Sequence, residues 1–404
     1  MDAFATAYAV PAFAVSVLAG SLSAAFLPAY IRVRIAAGPD AGVRLLRAVL
    51  SFVLAALGIA SVGIIVLVPH LLRWIAPGYS PHKAHLAASL CLLMLPLIVC
   101  SGLATILAAV LNAERRFGVA AIVPILSPLL VVAFVLSIGG SVGVRSLAIG
   151  FSVGAAVELA ALALVCHHRR CVPLPGTIVS VEGLSAVVKQ WLPAAAGALI
   201  TSTSPIVDQA MASTLGPGSV AELTYGSRFV VLFLSVGALA VGTAVLPFFS
   251  EAVASRDFQL IRASIARYAA LIAVLTIPIT IVVATFSRQL TAATYQRGAF
   301  TAADAAAVAH VQRLFILQLP FYVIGILLVR LIAALAANGF LMIGALVNVV
   351  VNIGGNFLLM SYLGVAGIAL ATALMYAVSA LYLALVLRWR LRVSERRCMS
   401  FAAV

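Results

Sequence analysis

Long runs of apolar residues alternate along the chain with short polar stretches rich in arginine. Several runs exceed 18 residues, which is enough for a helix to cross a hydrocarbon core about 30 Å thick. Strands of a membrane barrel would show segments of about ten residues in which apolar and polar positions alternate. Within these runs apolar and polar residues do not alternate. The pattern therefore predicts an all-α integral membrane protein, a polytopic bundle of about eleven transmembrane helices. The predicted spans are 3–31, 46–69, 86–111, 119–139, 144–166, 190–212, 221–249, 265–286, 312–335, 340–361 and 364–387.

The composition excludes a soluble enzyme. Of the 404 residues, 64% are hydrophobic and only 9% are charged, whereas about a quarter of the residues of a soluble domain are charged. The sequence contains no P-loop, no glycine-rich dinucleotide motif after a strand, no HExxH motif and no catalytic triad. We therefore expect neither an enzymatic activity nor an organic cofactor.

The net charge of +14 lies in arginine clusters at the ends of the apolar runs, which favours fixed membrane orientation over nucleic-acid binding. If residue 1 lies outside, the inside loops contain seventeen lysines and arginines and the outside loops contain six. The inside set is Arg32, Arg34, Arg44, Arg47, Arg115, Arg116, Arg169, Arg170, Lys189, Arg256, Arg262, Arg267, Arg388, Arg390, Arg392, Arg396 and Arg397. The outside set is Arg73, Lys83, Arg145, Arg288, Arg297 and Arg313. This asymmetry predicts an external N-terminus and a cytoplasmic C-terminus.

Three segments of the first half recur in the same order in the second half. The aligned positions are Pro28 with Pro247, Asn112 with Asn338, and Gly143 with Gly364. Their separations of 219, 226 and 221 residues are nearly constant, so the chain is predicted to consist of two parallel repeats, an architecture of secondary transporters.

The repeat predicts the domain organisation. We assign 1–166 to a first lobe of five helices, 167–189 to a cytoplasmic linker, 190–390 to a second lobe of six helices, and 391–404 to a cytoplasmic tail. The first helix of the second lobe has no counterpart in the first lobe. We therefore expect that the first helix of the repeat is missing from this sequence.

Four motifs lie in separate parts of the chain: DAFATAYAVPAFAVSVLAGSLSAAFLPAY from Asp2, VLNAERRFGVAAIVPIL from Val110, LTYGSRFVVLFLSVGALAVGTAVLPFFSE from Leu223, and YQRGAFTAADA from Tyr295. Together they resemble the MurJ/MviN family of lipid II flippases, in the MOP exporter superfamily. The resemblance implies a flippase that moves the undecaprenyl-diphosphate-linked peptidoglycan precursor across the bacterial inner membrane by alternating access. Its partners would be that lipid-linked oligosaccharide and the bilayer. Family members have fourteen helices, so the resemblance also implies that the first helix and the last two are missing here.

The resemblance also identifies a substrate-binding residue. The family's second helix carries an arginine pair and a glutamate, whereas the matching stretch here, 13–21 (FAVSVLAGS), has no charge. Only the arginine of the eighth helix remains, as Arg228, and Ser227 stands where an aspartate usually precedes it. A guanidinium donates in a planar fork that fits diphosphate oxygens. The alternative is that Arg228 extends its side chain to the membrane interface.

A Na⁺ site in the second lobe of some family members is the other site that the resemblance implies. The matching positions are Asp208, Asn352, Asn356, Ile368 and Thr372. The pairs 352/356 and 368/372 are spaced i, i+4, so the members of each pair face the same way, and oxygen ligands suit a hard cation such as Na⁺. Asn356 stands where some members have aspartate, which lowers the charge of the site. Alternatively, Asp208 has a structural role, either in hydrogen bonding within the bundle or as a partner of Arg330 or Arg228.

Two further ionisable residues lie within predicted helices, where an unpaired charge is costly. Glu158 would relay a proton or pair with a cation of the first lobe, and Arg330 would pair with Asp208 or with a helix-end carbonyl. Two alternatives to lipid II transport remain: export of other polysaccharide-lipid or drug substrates within the superfamily, and a truncated, inactive remnant. No oligomeric state is predicted.

Overall fold

The computed structural model is helical throughout the part of the chain that it describes, which comprises residues 1–114, 116–168, 184–254, 258–334 and 338–402. The α-helices are α1 (Asp2–Ala14), α2 (Ser21–Ala37), α3 (Pro39–Ile75), α4 (Pro81–Leu93), α5 (Leu95–Ala113), α6 (Phe117–Ile122), α7 (Leu126–Val142), α8 (Arg145–His168), α9 (Leu184–Ser213), α10 (Ser219–Ala254), α11 (Phe258–Thr285), α12 (Ser287–Tyr295), α13 (Ala302–Phe315), α14 (Leu319–Ala334), α15 (Asn338–Leu363) and α16 (Val365–Ala402). A π-helical segment, Val15–Gly20, joins α1 to α2, and short 3₁₀ segments, Val123–Ile125 and Ile316–Gln318, precede α7 and α14.

Ten helical segments among the described residues are long and apolar enough to cross a membrane. The prediction of an all-α, polytopic membrane protein is therefore confirmed. The predicted span 190–212 corresponds to α9, which is helical but is not one of the ten. Most helices extend beyond the predicted spans because apolar runs mark the membrane core, whereas a helix continues into the polar interface.

The chain divides into two compact units, 1–206 and 207–404. The division falls within α9, so its first part packs with the first unit and its last residues pack with the second. Of the predicted linker, residues 169–183 lie outside the described residues, and α9 begins at Leu184. Helix α16 continues to Ala402 through the predicted tail.

The π-helical segment of the first unit is held by a tryptophan of α9. The indole N–H of Trp191 lies 3.3 Å from the carbonyl oxygen of Leu18 and 3.0 Å from Oγ of Ser21. The Ser21 hydroxyl also donates to the carbonyl of Val17. A π turn disturbs the regular helical hydrogen bonds, and these side chains supply replacement partners for its polar groups.

Polar contacts connect each end of the continuous α1–α2 segment to neighbouring helices. At its start, Lys83 Nζ lies 2.6 Å from Asp2 Oδ2, and the hydroxyls of Thr6 and Tyr79 are 2.7 Å apart. Burial raises the pKa of the Tyr79 hydroxyl to about 12. At its other end, Glu114 accepts a hydrogen bond from Tyr30, 3.1 Å away, and forms an ion pair with Arg34.

In the second unit, α15 and α16 form a close antiparallel pair that depends on glycine. A Cβ on Gly367 would overlap the carbonyl group of Leu359, and a Cβ on Gly355 would lie 3.1 Å from Cβ of Ala371. Small residues at such positions let helix backbones approach closely. This approach brings polar side chains of the two helices together in the interior of the unit.

Candidate functional site

A carboxylate buried among neutral polar groups lies at the centre of the candidate site in the second unit. Asp208 of α9 is only 6% exposed. Its Oδ1 accepts hydrogen bonds from Nδ2 of Asn352 at 3.0 Å and from Nδ2 of Asn356 at 2.7 Å. The hydroxyl of Thr372 lies 3.2 Å from Oδ2 and 3.1 Å from the carbonyl oxygen of Ile368. The structure thus gathers all five residues that the sequence predicted for a cation site.

Helical spacing explains this convergence. Asn352 and Asn356 are one turn apart on α15, and Ile368 and Thr372 are one turn apart on α16, so each pair presents its groups to one side. An isolated buried carboxylate costs several kcal/mol, and hydrogen bonds to charged groups contribute about 1.5–3 kcal/mol each. Hydrogen bonds from the two amides and the hydroxyl therefore allow Asp208 to stay inside an apolar unit.

The same residues carry oxygen atoms that have no partner within the described structure. Oδ1 of Asn352 and Oδ1 of Asn356 are both buried without a hydrogen bond. Buried polar atoms in native proteins are nearly always paired. Together with the carboxylate of Asp208, the hydroxyl of Thr372 and the carbonyl of Ile368, they form an all-oxygen donor set of the kind that hard cations prefer. The residues present fit such an ion.

Of the structural alternatives predicted from the sequence, pairing of Asp208 with an arginine is wrong, whereas hydrogen bonding within the bundle agrees with the contacts of this carboxylate. Arg330 is exposed, and the two ion pairs found among the described residues involve neither Arg330 nor Arg228. Three neutral side chains already occupy the carboxylate. Glu158 of α8 is partly buried and, within the described part of the chain, has no hydrogen bond or ion pair.

The predicted substrate-binding residue, Arg228, lies apart from the Asp208 cluster. It is exposed on α10, close to a cluster of aromatic rings. The ring of Tyr295 lies 5.1 Å from Tyr225, 6.2 Å from Phe229 and 5.9 Å from Phe300, measured between centroids. Burial raises the pKa of the Tyr295 hydroxyl, and the positive charge of Arg228 opposes that rise. An exposed guanidinium within electrostatic range of Tyr295 has donors available to bind an anionic group.

Two residues next to the Asp208 cluster were missed in the sequence. Asn348 lies one turn before Asn352 on α15, and its Oδ1 is buried and unpartnered among the described residues. Tyr376 lies one turn after Thr372 on α16, within electrostatic range of Asp208. Its ring packs edge-on against Tyr322, with centroids 5.1 Å apart. Both lie one turn from residues that the family resemblance assigned to the cation site, so extending each i, i+4 pair by one turn would have found them.

Comparison with known proteins gives a consistent family. The family model described as lipid II flippase MurJ matches residues 1–403. A probable lipid II flippase MurJ of Rhizobium meliloti (strain 1021) is 27% identical over 399 residues, covering 96% of this chain and 74% of the relative. The lipid II flippase MurJ of Burkholderia cenocepacia is 27% identical over 405 residues, covering 96% of this chain and 77% of the relative.

Solved structures share the fold. A structure of lipid II flippase MurJ in an inward closed conformation aligns with a TM-score of 0.78 at 22% identity, covering 96% of this chain and 81% of that one. An inward-facing multidrug resistance MATE family transporter of the MOP superfamily aligns with a TM-score of 0.83 at 17% identity, covering 98% and 92%. The family match extends over almost the entire chain, and the fold is that of MOP transporters.

Proposed function

The chain belongs to the lipid II flippase MurJ family, and from that premise we propose that it moves lipid II, the undecaprenyl-diphosphate-linked peptidoglycan precursor, across the bacterial inner membrane by alternating access. The observation that carries this function is the family match over residues 1–403. The relatives named above are themselves lipid II flippases or probable ones. The fold likeness to multidrug transporters, at 17% identity, does not favour drug export over this function.

Arg228 binds the diphosphate of the substrate. Its guanidinium is exposed and makes no hydrogen bond or ion pair within the described residues, so its donors are available. A diphosphate must be held while it crosses a low-dielectric region, and a guanidinium stays charged there and donates in a planar fork. The uncharged stretch 13–21 leaves Arg228 as the main cation for this task.

The Asp208 cluster holds the coupling cation, Na⁺. The unpaired amide oxygens of Asn352 and Asn356 and the single carboxylate support this assignment. A bound Na⁺ would supply the positive charge that neutralises Asp208 and complete the pairing of the buried oxygens. The amides rotate to present oxygen to the ion or nitrogen to the carboxylate, so the site is stable in either state.

The orientation follows from the distribution of charge. The N-terminus of this chain lies outside and its C-terminus lies in the cytoplasm, because the clusters of arginine mark the inner ends of the helices. Asp208 is on a helix that runs outward from the cytoplasmic side. It lies near the outer end of that helix, so the proposed Na⁺ site is closer to the external medium than to the cytoplasm.

Binding of lipid II to the purified full chain in lipid nanodiscs tests the function. Lipid II should bind saturably, and undecaprenyl phosphate without the head group should compete poorly. A lipophilic cation of the kind that multidrug transporters export should not compete at all. Saturable binding of that cation, with no binding of lipid II, would assign the chain to drug export instead.

A further inference from the structure

A groove of about 580 Å³ lies in the second unit between α11, α14 and α16. Small side chains leave this space open: Ala266 and Ala269 of α11 and Ala380 and Ala384 of α16 line the groove. The volume falls within the range of about 300–1,000 Å³ that is typical of small-molecule sites. Apart from one end, the lining is apolar and suits a hydrocarbon chain.

Two arginines line that one end. Arg388 and Arg392 are one turn apart on α16, on the same side of the helix, and both line the groove. Both side chains are exposed, and none of the described residues that line the groove is acidic. An apolar groove that ends at two adjacent cations is complementary to an amphiphile with an anionic head.

Neighbouring aromatic residues indicate the membrane depth of this end. Trp389 is 51% exposed, and its ring lies 5.6 Å from that of Phe340. The guanidinium of Arg390 lies 4.9 Å from the ring of Phe340 and 5.4 Å from that of Trp389. Tryptophan and arginine concentrate at membrane interfaces. Arg388 and Arg392 therefore lie at the level of the lipid head groups.

We propose that this groove binds an anionic phospholipid of the surrounding bilayer. One acyl chain lies along the four alanines, and the phosphate binds Arg388 and Arg392. The charge complementarity and the head-group depth of the arginines identify this occupant, since basic pockets between transmembrane helices bind anionic head groups. The site is separate from Arg228 and from the Asp208 cluster, and it does not depend on the proposed transport function.

Electron spin resonance of spin-labelled lipids tests the proposal. The full chain is reconstituted in phosphatidylcholine membranes that contain spin-labelled phosphatidylglycerol or spin-labelled phosphatidylcholine. The immobilised fraction gives the relative association constant of each lipid. Each arginine should contribute roughly fivefold, so the preference for phosphatidylglycerol should fall about fivefold in Arg388→Gln or Arg392→Gln and about thirtyfold in the double variant.

Matched variants separate this site from general surface charge. Arg267→Gln removes an exposed arginine of α11 that does not line the groove, and it should keep the preference for phosphatidylglycerol. Ala384→Leu fills the groove without changing charge and should lower that preference. An equal loss in Arg267→Gln and Arg388→Gln, or equal association of both lipids with the unaltered protein, would overturn the proposal. Displacement of the label by undecaprenyl phosphate but not by unlabelled phosphatidylglycerol would also overturn it, because the groove would then be a polyprenyl site.

Discussion

Gly143 and Gly364, which are 221 positions apart in the sequence, have nearly the same positive φ, +61° and +59°. Each lies between two consecutive helices, Gly143 between α7 and α8 and Gly364 between α15 and α16. Each also donates its N–H to the carbonyl four residues earlier, Gly139 at 3.0 Å and Met360 at 2.9 Å. The similarity between the two halves of the chain therefore includes the backbone angle φ of the glycine between these helices.

This equivalence gives a stability prediction. A backbone conformation with φ near +60° strains a residue other than glycine by roughly 1–3 kcal/mol. Gly143→Ala and Gly364→Ala should therefore each lower the free energy of unfolding in mixed micelles by about that amount. Gly140→Ala is the control, because Gly140 is helical and has open space around its Cβ position. It should leave stability unchanged or raise it, and a loss as large as that of Gly143→Ala would contradict the explanation from backbone conformation.

Removal of the buried carboxylate should abolish the dependence on Na⁺. At a Na⁺ concentration of 100 times Kd, the native state gains about 2.7 kcal/mol. The melting temperature of the unaltered protein should therefore rise when Na⁺ replaces choline. Asp208→Asn should lose that rise. Glu158→Gln removes a different intramembrane acid and should retain it; loss of the rise in both variants would show that the effect is not specific to the cluster.

Addition of a second carboxylate should act in the opposite direction. Asn356→Asp restores the acid that some family members carry and places it beside Asp208, whose Oδ1 lies 2.7 Å from the amide nitrogen of Asn356. Cation affinity rises with the number of charged ligands, so the Kd for Na⁺ should fall roughly tenfold, equivalent to about 1.4 kcal/mol. Calorimetric titration of the purified variant measures this change. An unchanged or higher Kd would place the cation elsewhere.

Loss of Arg228 should weaken substrate binding. Hydrogen bonds to charged groups contribute about 1.5–3 kcal/mol, so Arg228→Ala should lower the affinity for lipid II roughly tenfold to a hundredfold. Arg228→Lys should recover only part of the loss, since a point charge lacks the planar fork. Arg330→Ala removes another exposed intramembrane arginine and should bind normally. Parent-like binding by Arg228→Ala would refute its role.

Labelling of single cysteines in a cysteine-free background tests the orientation. Ser80→Cys lies in the exposed turn before α4, and Asp40→Cys lies in the exposed first turn of α3. A membrane-impermeant reagent added to intact cells should label the first, and it should label the second only after permeabilisation. The reverse pattern would invert the topology.

The helices and the Asp208 cluster could be predicted because they depend on local spacing and on motifs that the family shares. Apolar runs place the helices, and i, i+4 pairs place amide and hydroxyl groups on facing sides. The partners of charged groups could not be predicted. Arg330 is exposed, and the carboxylate of Asp208 is hydrogen-bonded by amides of α15 instead. Which of these partners a carboxylate meets depends on how the helices pack, and local spacing does not show that. Two of the rings near Arg228, those of Tyr295 and Phe300, come from about seventy positions away in the sequence.

The π-helical segment at Val15–Gly20 determines the direction in which the later side chains of the same continuous helix face. A π turn contains one more residue than an α turn, and each residue of an α-helix turns the chain by about 100°. Without that extra residue, Tyr30 and Arg34 would face away from Glu114, the residue that both contact. A single inserted position, secured by the indole of Trp191, thus determines the angle at which the far end of the segment meets its neighbour.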